Sequence, residues 1–198
     1  MTSKPALSKK PSATSVLLIK PQCKIHSTAV VSDKAQITGS HIVEIGENCV
    51  IHPYAKLNAD FGNVVIGKGC IIAEKAVVGV SEASGETDCI IGDSVSIETG
   101  AVVEAKKVGD HSTIEVNSKI GAGAIVGKWC KVAPLCQVKE KEVLEDLTVV
   151  FGEGHECRRF DVVVRDRKEV KDAKMKGRAM ELEVLRGLIP DGSVKWTS

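Results

Sequence analysis

From Ile25 to Val138 the chain returns to an aliphatic residue in steps of six, and that period constrains the fold more than any other feature of its 198 residues. The run is cleanest from Ile91: Ile91, Ile97, Val103, then after one lost residue Val108, Ile114, Ile120, Val126, Val132 and Val138. The position four further on is small in most hexads, as at Ala101, Ser112, Ser118, Ala124, Cys130 and Cys136. A period of six fits neither the 3.6-residue repeat of a helix nor the alternation of an isolated strand. It is the repeat of a parallel β-helix.

Carried back to its start, the pattern groups 18 aliphatic positions into six coils of three hexads, beginning at Ile25, Ile45, Ile66, Ile91, Val108 and Val126. Three hexads per coil predict a three-sided prism with the aliphatic residues inside and parallel strands pairing coil to coil. On the second face a ladder of small residues should stack beside them: Ala35, Ala55, Ala76, Ala101, Ser118 and Cys136. The pairs Ile45-Gly46, Ile66-Gly67, Ile91-Gly92, Val108-Gly109 and Val126-Gly127 put glycine at one recurring corner, implying either close approach or positive φ there. Successive coils start 20, 21, 25, 17 and 18 residues apart, and each surplus falls between a third face and the next first face. Segments near Gly39–Glu44, Ala59–Val65 and Val80–Ile90 should therefore leave from one edge, and aligned insertions commonly form a solenoid's binding surface. The longest holds Ser81, Glu82, Glu86 and Asp88, three acids with no base, and is the candidate partner-contact loop; the alternative is a tolerated insertion without function.

The flanks read differently. Residues 1–15 are a Ser-, Lys- and Pro-bearing stretch without acids, expected as a disordered basic tail. A transit peptide is the other reading, weakened by the lack of Arg and by Pro5 and Pro11. Val16–Ile19 is expected to cover the open edge of the first coil. After Val138 the hexads are expected to stop at the polar turn Lys139–Glu142, with Leu147–Gly152 as a last strand. The solenoid domain is thus placed at 16–164. From about Asp166 to Ile189, Val170, Ala173, Gly177, Met180, Val184 and Leu188 recur at helical spacing. This predicts a helix over 165–190 packed on the prism, or else offered to a partner, followed by a flexible tail at 191–198.

Composition removes several functions. A formal charge of +1 gives no field for nucleic acid, and 3% aromatic content leaves few surfaces for stacking bases. No apolar run reaches the ~18 residues of a membrane-spanning helix. Seven cysteines, an odd number spread through the repeat, do not resemble a secreted disulfide framework, so an intracellular protein is expected. Cys49, Cys70, Cys130 and Cys136 fall at small inward positions, where a thiol acts as a small hydrophobe. Cys49 and Cys70 should stack on adjacent coils.

β-Helices of hexapeptides are also an enzyme scaffold, so two chemistries were weighed. A zinc site like that of the γ-class carbonic anhydrases needs three ligands close together. The histidines at 26, 41, 52, 111 and 155 lack that family's spacing, and coils two and five, which carry His52 and His111, lie about 14 Å apart. An acyltransferase needs a histidine base near a subunit interface, for which only His41 has suitable exposure, and nothing nearby suggests a partner acid or a coenzyme A groove. Neither a metal nor a cofactor is expected.

The run Ile51-His52-Pro53-Tyr54-Ala55-Lys56-Leu57, the stretch Val65–Ala76, Ile120-Gly121-Ala122, Val149-Val150-Phe151-Gly152 and Cys157-Arg158-Arg159 resemble the dynactin subunit 6 family over about residues 25–189. The resemblance implies a left-handed β-helix, a hand that spacing alone does not give. It also implies a non-catalytic cytoplasmic, cytoskeletal subunit of the dynein activator, supporting dynein-based cargo transport along microtubules. Its partners would be a companion β-helix subunit and an actin-related protein in the pointed-end complex, with no nucleic acid and no membrane insertion. A heterodimer rather than a homotrimer is implied. The alternative is a homotrimeric enzyme like the γ-carbonic anhydrases or the hexapeptide acyltransferases.

Overall fold

The computed structural model describes residues 21–81, 87–152 and 157–197. Strands of two to four residues wind into a parallel β-solenoid with three faces. The register is the one the hexads require. On the second face Val31 pairs with Ile51, then Ile72, Ile97, Ile114, Val132 and Val150 in an unbroken parallel ladder. Of the 18 predicted inward positions all but Ile25 are buried; Ile25, on the first coil, is half-buried against the same core. The small ladder is in place as well, with Ala55, Ala76, Ala101 and Ser118 fully buried.

The sixes do not stop at Val138. Leu144 and Val150 continue them and are buried, adding two faces of a seventh coil to six complete ones. Lys139–Glu142 marks no end, because the corners of every coil are polar and only the sixth residue is obliged to be aliphatic.

The recurring glycines serve close approach. A Cβ on Gly109 would lie 2.5 Å from the Gly127 carbonyl carbon, while φ at Gly109 is not positive. The left-handed backbone falls two residues later, three after each inward aliphatic, at Asn48, Ser94, His111, Trp129 and Leu147. Non-glycine residues rarely adopt that conformation, and here the pairing of each coil with its neighbours holds them in it. The inserted segments leave from a single edge and extend the ladder there: Thr87 N–H donates to Phe61 O at 2.9 Å and Ile42 N–H to Asn63 Oδ1 at 3.0 Å.

Each end of the core is closed. At the last coil, Thr148–Phe151 turns back and pairs antiparallel with Cys157–Phe160. Arg158 stands opposite Val150, on the inward side, and donates to Glu142 Oε1 at 3.0 Å. At the first coil the closure comes from the far terminus. Gly192 N–H donates to Val31 O at 2.7 Å, Lys195 Nζ to Asp33 O at 3.0 Å, and Trp196 packs on the core. The stretch expected as a flexible tail is thus bound along residues 191–197, because an end coil offers unpaired backbone groups and an apolar cross-section. Val16–Ile19, to which that task was assigned, and the 1–15 tail lie outside the described residues.

Three helices follow the solenoid: α1 (Val162–Asp166), α2 (Lys168–Leu188) and α3 (Val194–Thr197). Asp161 caps α1 by accepting from Val164 N–H at 3.0 Å. α2 meets the second face through Leu182, with Leu185 and Ile189 beside it, over the outward side chains of Val50 and Ile71. The stripe marked by helical spacing is the wrong one: Met180, Val184 and Leu188 are 59%, 59% and 71% exposed. The second face is apolar outward at its first coils, and the residues from Leu182 to Ile189, about two turns, cover Val50 and Ile71. Beyond Ile71 its outward positions are Ser96, Thr113 and Lys131, with Val149 on the last coil beside the antiparallel strand.

Two substitutions separate core from surface. Ala101→Leu should overfill the small ladder and cost about 1–3 kcal/mol in urea unfolding. Gly177→Ala, whose Cβ would meet nothing within 4 Å, should stabilise α2 by about 0.5–1 kcal/mol.

Candidate assembly surface

The edge that carries the insertions is the first candidate. Ser81 donates to Glu104 Oε1 from its N–H at 3.1 Å and also from its hydroxyl. Asp88 Oδ1 accepts from both the N–H and the side-chain amide of Asn63, at 2.9 Å each. The two ends of the acidic segment are therefore anchored on different neighbours, Ser81 on the third-face side and Asp88 on the preceding insertion. Glu82 and Glu86 lie outside the described residues.

A second feature sits under α2. His111 and Trp129 occupy the same corner one coil apart, with ring centroids 4.3 Å apart and planes 23° from parallel. The Lys171 ammonium from α2 is 5.7 Å from the Trp129 ring, within reach of a cation–π attraction. Beside them opens a cleft of about 250 Å³ lined in part by Ser94, Thr113, Lys131 and Arg178. Its cations are matched locally: Arg178 donates to Glu181 Oε2 at 3.0 Å, and Lys131 Nζ is 2.9 Å from Glu115 Oε1. Lys174, which also lines the cleft, has its Nζ 3.8 Å from Asp161 Oδ2, so among the described residues each lining lysine and arginine faces a carboxylate, and the aromatic stack fixes α2 to the corner. Sequence reading missed this stack, although the signal was present: the two residues are one 18-residue coil apart at equivalent positions.

Of the other histidines, His26, His41 and His52 are described, and His155 lies outside the described residues. His41 Nδ1 lies 2.9 Å from Ala59 O, so that ring nitrogen is used in holding its own loop. His26 Nδ1 meets Thr28 Oγ1 at 3.0 Å. His52 turns towards α2, where its Nε2 is buried without a hydrogen-bond partner among the described residues. Burial lowers its pKa against the opposing pull of Glu74 and Glu181. Among the described residues no group of three or more His, Cys, Asp or Glu could hold a metal ion.

The inward thiols are equally occupied. Cys49 Sγ donates to Gly67 O at 2.8 Å and Cys70 Sγ to Gly92 O at 3.0 Å, and both cysteines are free. Burial pushes the Cys89 thiol up to about 12 and that of Cys130 up to about 11. The nucleophile is the thiolate, so Cys89 and Cys130 are inert near neutrality.

Comparison with known proteins follows the same lines. No family model matches the sequence. The chain is 31% identical over 177 residues to dynactin subunit 6 of Danio rerio, spanning 85% of this chain and 84% of that protein. It is 30% identical over 176 residues to dynactin subunit 6 of Xenopus tropicalis, spanning 85% and 81%. Its backbone is similar to a hexapeptide transferase family protein from Anaplasma phagocytophilum, with a TM-score of 0.67 at 20% identity over 83% of this chain and 92% of that one. That likeness concerns the fold, a left-handed β-helix of hexapeptide repeats.

His52 makes the contact with α2 sensitive to acid. Its folded pKa lies below the ordinary 6.5, so the unfolded chain takes up the proton first. Its contribution to stability is complete above pH 6.5 and is lost as pH falls through that value towards the folded pKa. His111, also lowered by burial, acts in the same direction. His52→Gln should therefore flatten, without abolishing, the fall in Tm between about pH 6.5 and 5 in calorimetric scans.

Proposed function

The chain belongs to the dynactin subunit 6 family, and from that premise we propose that it is a non-catalytic assembly subunit of dynactin. It would join a companion β-helix subunit as a heterodimer in the pointed-end complex, next to the actin-related protein, and support dynein-driven cargo transport in the cytoplasm. The observation that carries the reading is the match itself, which spans 85% of the chain rather than the hexads of a few coils. The site chemistry supports it. The histidine that an acyltransferase would use as a base, His41, is bound at its Nδ1 to Ala59 O, and the thiols of Cys49, Cys70, Cys89, Cys130 and Cys136 are buried in the core. The likeness to transferases is one of fold, at 20% identity, and folds of this kind host unrelated functions. No helix among the described residues is long and apolar enough to cross a membrane.

Within this reading, the acidic segment Ser81, Glu82, Glu86 and Asp88 contributes to the companion contact, because its described ends, Ser81 and Asp88, lie on the one edge where the insertions gather. Light scattering on the purified chain should give a mass near 21.1 kDa, and adding the companion subunit should give a 1:1 complex. A stable trimer that turns over an acyl-CoA substrate would sink the assembly reading. Glu82→Lys with Glu86→Lys should weaken the companion complex by about tenfold, a loss of ~1.4 kcal/mol. Unchanged affinity would remove the loop from the interface.

A further inference from the structure

The first coil turns three strand edges away from the stack: Cys23–Ile25, Val30–Val31 and Gln36–Gly39. The far terminus deals with two of them. Asp191 bridges to Ser32 beside Val30–Val31, and α3 lies against Cys23–Ile25. Gln36–Gly39 is the end strand of the third-face sheet, and among the described residues no strand pairs with its outer side. Backbone N–H and C=O groups on such an edge are a template for one more strand.

The ladder specifies what that strand must supply. On the third face the residue before each inward aliphatic donates to the next coil: Gln36 N–H to Ala55 O at 2.9 Å, Lys56 N–H to Ala76 O at 2.8 Å and Val77 N–H to Ala101 O at 2.8 Å. The residue after the aliphatic does the same, from Gly79 N–H to Val103 O at 3.0 Å and from Gly121 N–H to Val138 O at 2.9 Å. One rung before Gln36–Gly39, the same rule calls for donors to the carbonyls of Ala35 and Ile37, on either side of an aliphatic residue seated over Ile37. The sequence holds such a run in phase. Ile19 stands six residues before Ile25 and 18 before Ile37, and Cys23 falls at the small position four after it. Pro21 and Gln22 are left to turn the corner, where Gln22 O accepts from Val43 N–H at 2.9 Å.

We propose that residues 16–20, which lie outside the described residues, dock on the outer edge of Gln36–Gly39 as a parallel strand, with Ile19 over Ile37. Leu18 N–H then donates to Ala35 O and Lys20 N–H to Ile37 O, while Ile37 N–H, on the same side of its strand as its carbonyl, donates to Leu18 O. Leu17 takes the small position above Ala35; no coil stacks over it, so the size limit inside the ladder does not hold there. The C-terminal segment sets where the strand begins. Gly192 sits so close to Asp33 that a Cβ on it would come within 2.6 Å of the Asp33 Cα, and Ser15 is the residue that the register places over Asp33. The occupant is this segment rather than a second copy because a single corner of two residues ties it to the first coil. It docks without the loss of translational and rotational freedom that association costs. With the strand in place, no partner can extend the third-face ladder from this end.

Amide hydrogen exchange, read residue by residue by NMR on the full chain, tests the docking. Leu18 and Lys20 should exchange about a hundredfold more slowly than unstructured chain, and Ile37 should be protected with them. Ile19, whose N–H points away from the first coil, should exchange fast, and nuclear Overhauser contacts should join its side chain to that of Ile37. Ile19→Asp should remove the protection at Leu18, Lys20 and Ile37 together, with Ile97 as the control for an intact core, whereas Ile19→Val should keep it. If Ile19→Asp does not fold, the exchange pattern and the Ile19–Ile37 contacts of the unaltered chain decide alone. Leu18 and Lys20 exchanging like unstructured chain while Ile97 stays protected overturns the docking. Protection of Ile37 that grows with protein concentration, without Leu18 and Lys20, gives the edge to a second copy and overturns it too. Protection at Leu18 and Lys20 that survives Ile19→Asp, or that comes without Ile19–Ile37 contacts, overturns the register.

Discussion

Every part of this molecule depends on backbone pairing between coils. Most of its strands are two residues long, a length that has no stability by itself because fixing so few residues gains almost no hydrogen bonding. Here each short strand is bonded to the coil before and the coil after, so the unit of stability is the stack. The aliphatic residue at every sixth position follows from this. It keeps the inside of each coil at the same width as its neighbours, and a coil of another width could not stay in register. The buried Ala55–Ala76–Ala101–Ser118 ladder states the same rule in reverse, since a larger side chain at any rung would push two coils apart.

Stacking also creates the problem that shapes the rest of the chain. A stack has two ends, each with unpaired N–H and C=O groups and an apolar cross-section, and either would invite another solenoid to continue it. The chain closes them by different means. At the last coil a strand reverses direction, which ends the parallel ladder, and Arg158 reaches Glu142 across the opening. At the first coil the cover is brought back by α2, which runs along the second face and delivers Trp196. The helix therefore has a mechanical task, and its weak amphipathicity is consistent with it. It needs contact near its end, from Leu182 to Ile189, and a fixed corner at Trp129, rather than an apolar seam along its length.

This explains what could be read from the sequence. The repeat, the three faces, the register and the small ladder follow from a local rule applied again and again, so Ile97 or Val132 could be placed without any knowledge of the rest. The single edge of insertions was legible for the same reason, as departures from a fixed count. What failed was non-repetitive. Trp196 occurs once, in a short polar segment, and nothing near it in sequence says that it covers a coil over 160 residues away. The docked side of α2 was misassigned because spacing picks out the most apolar stripe, while the contact is chosen by the surface beneath, Val50 and Ile71. The His111–Trp129 stack was readable by counting 18 residues but was hidden by treating corner positions as featureless.

Closing both ends and covering one face has a consequence for assembly. A bare β-solenoid can associate axially or by any of its sides, and its default hazard is unlimited association through edges. This one retains two lateral faces and one edge with inserted segments. On the first face the outward aliphatic residues Val65, Ile90, Ile125 and Val143 share their column with Lys24, Glu44 and Lys107, and a charge among aliphatic residues penalises a partner that fails to match it. The same elements that stop the stack from growing thus leave lateral association to surfaces that mix apolar area with fixed charges.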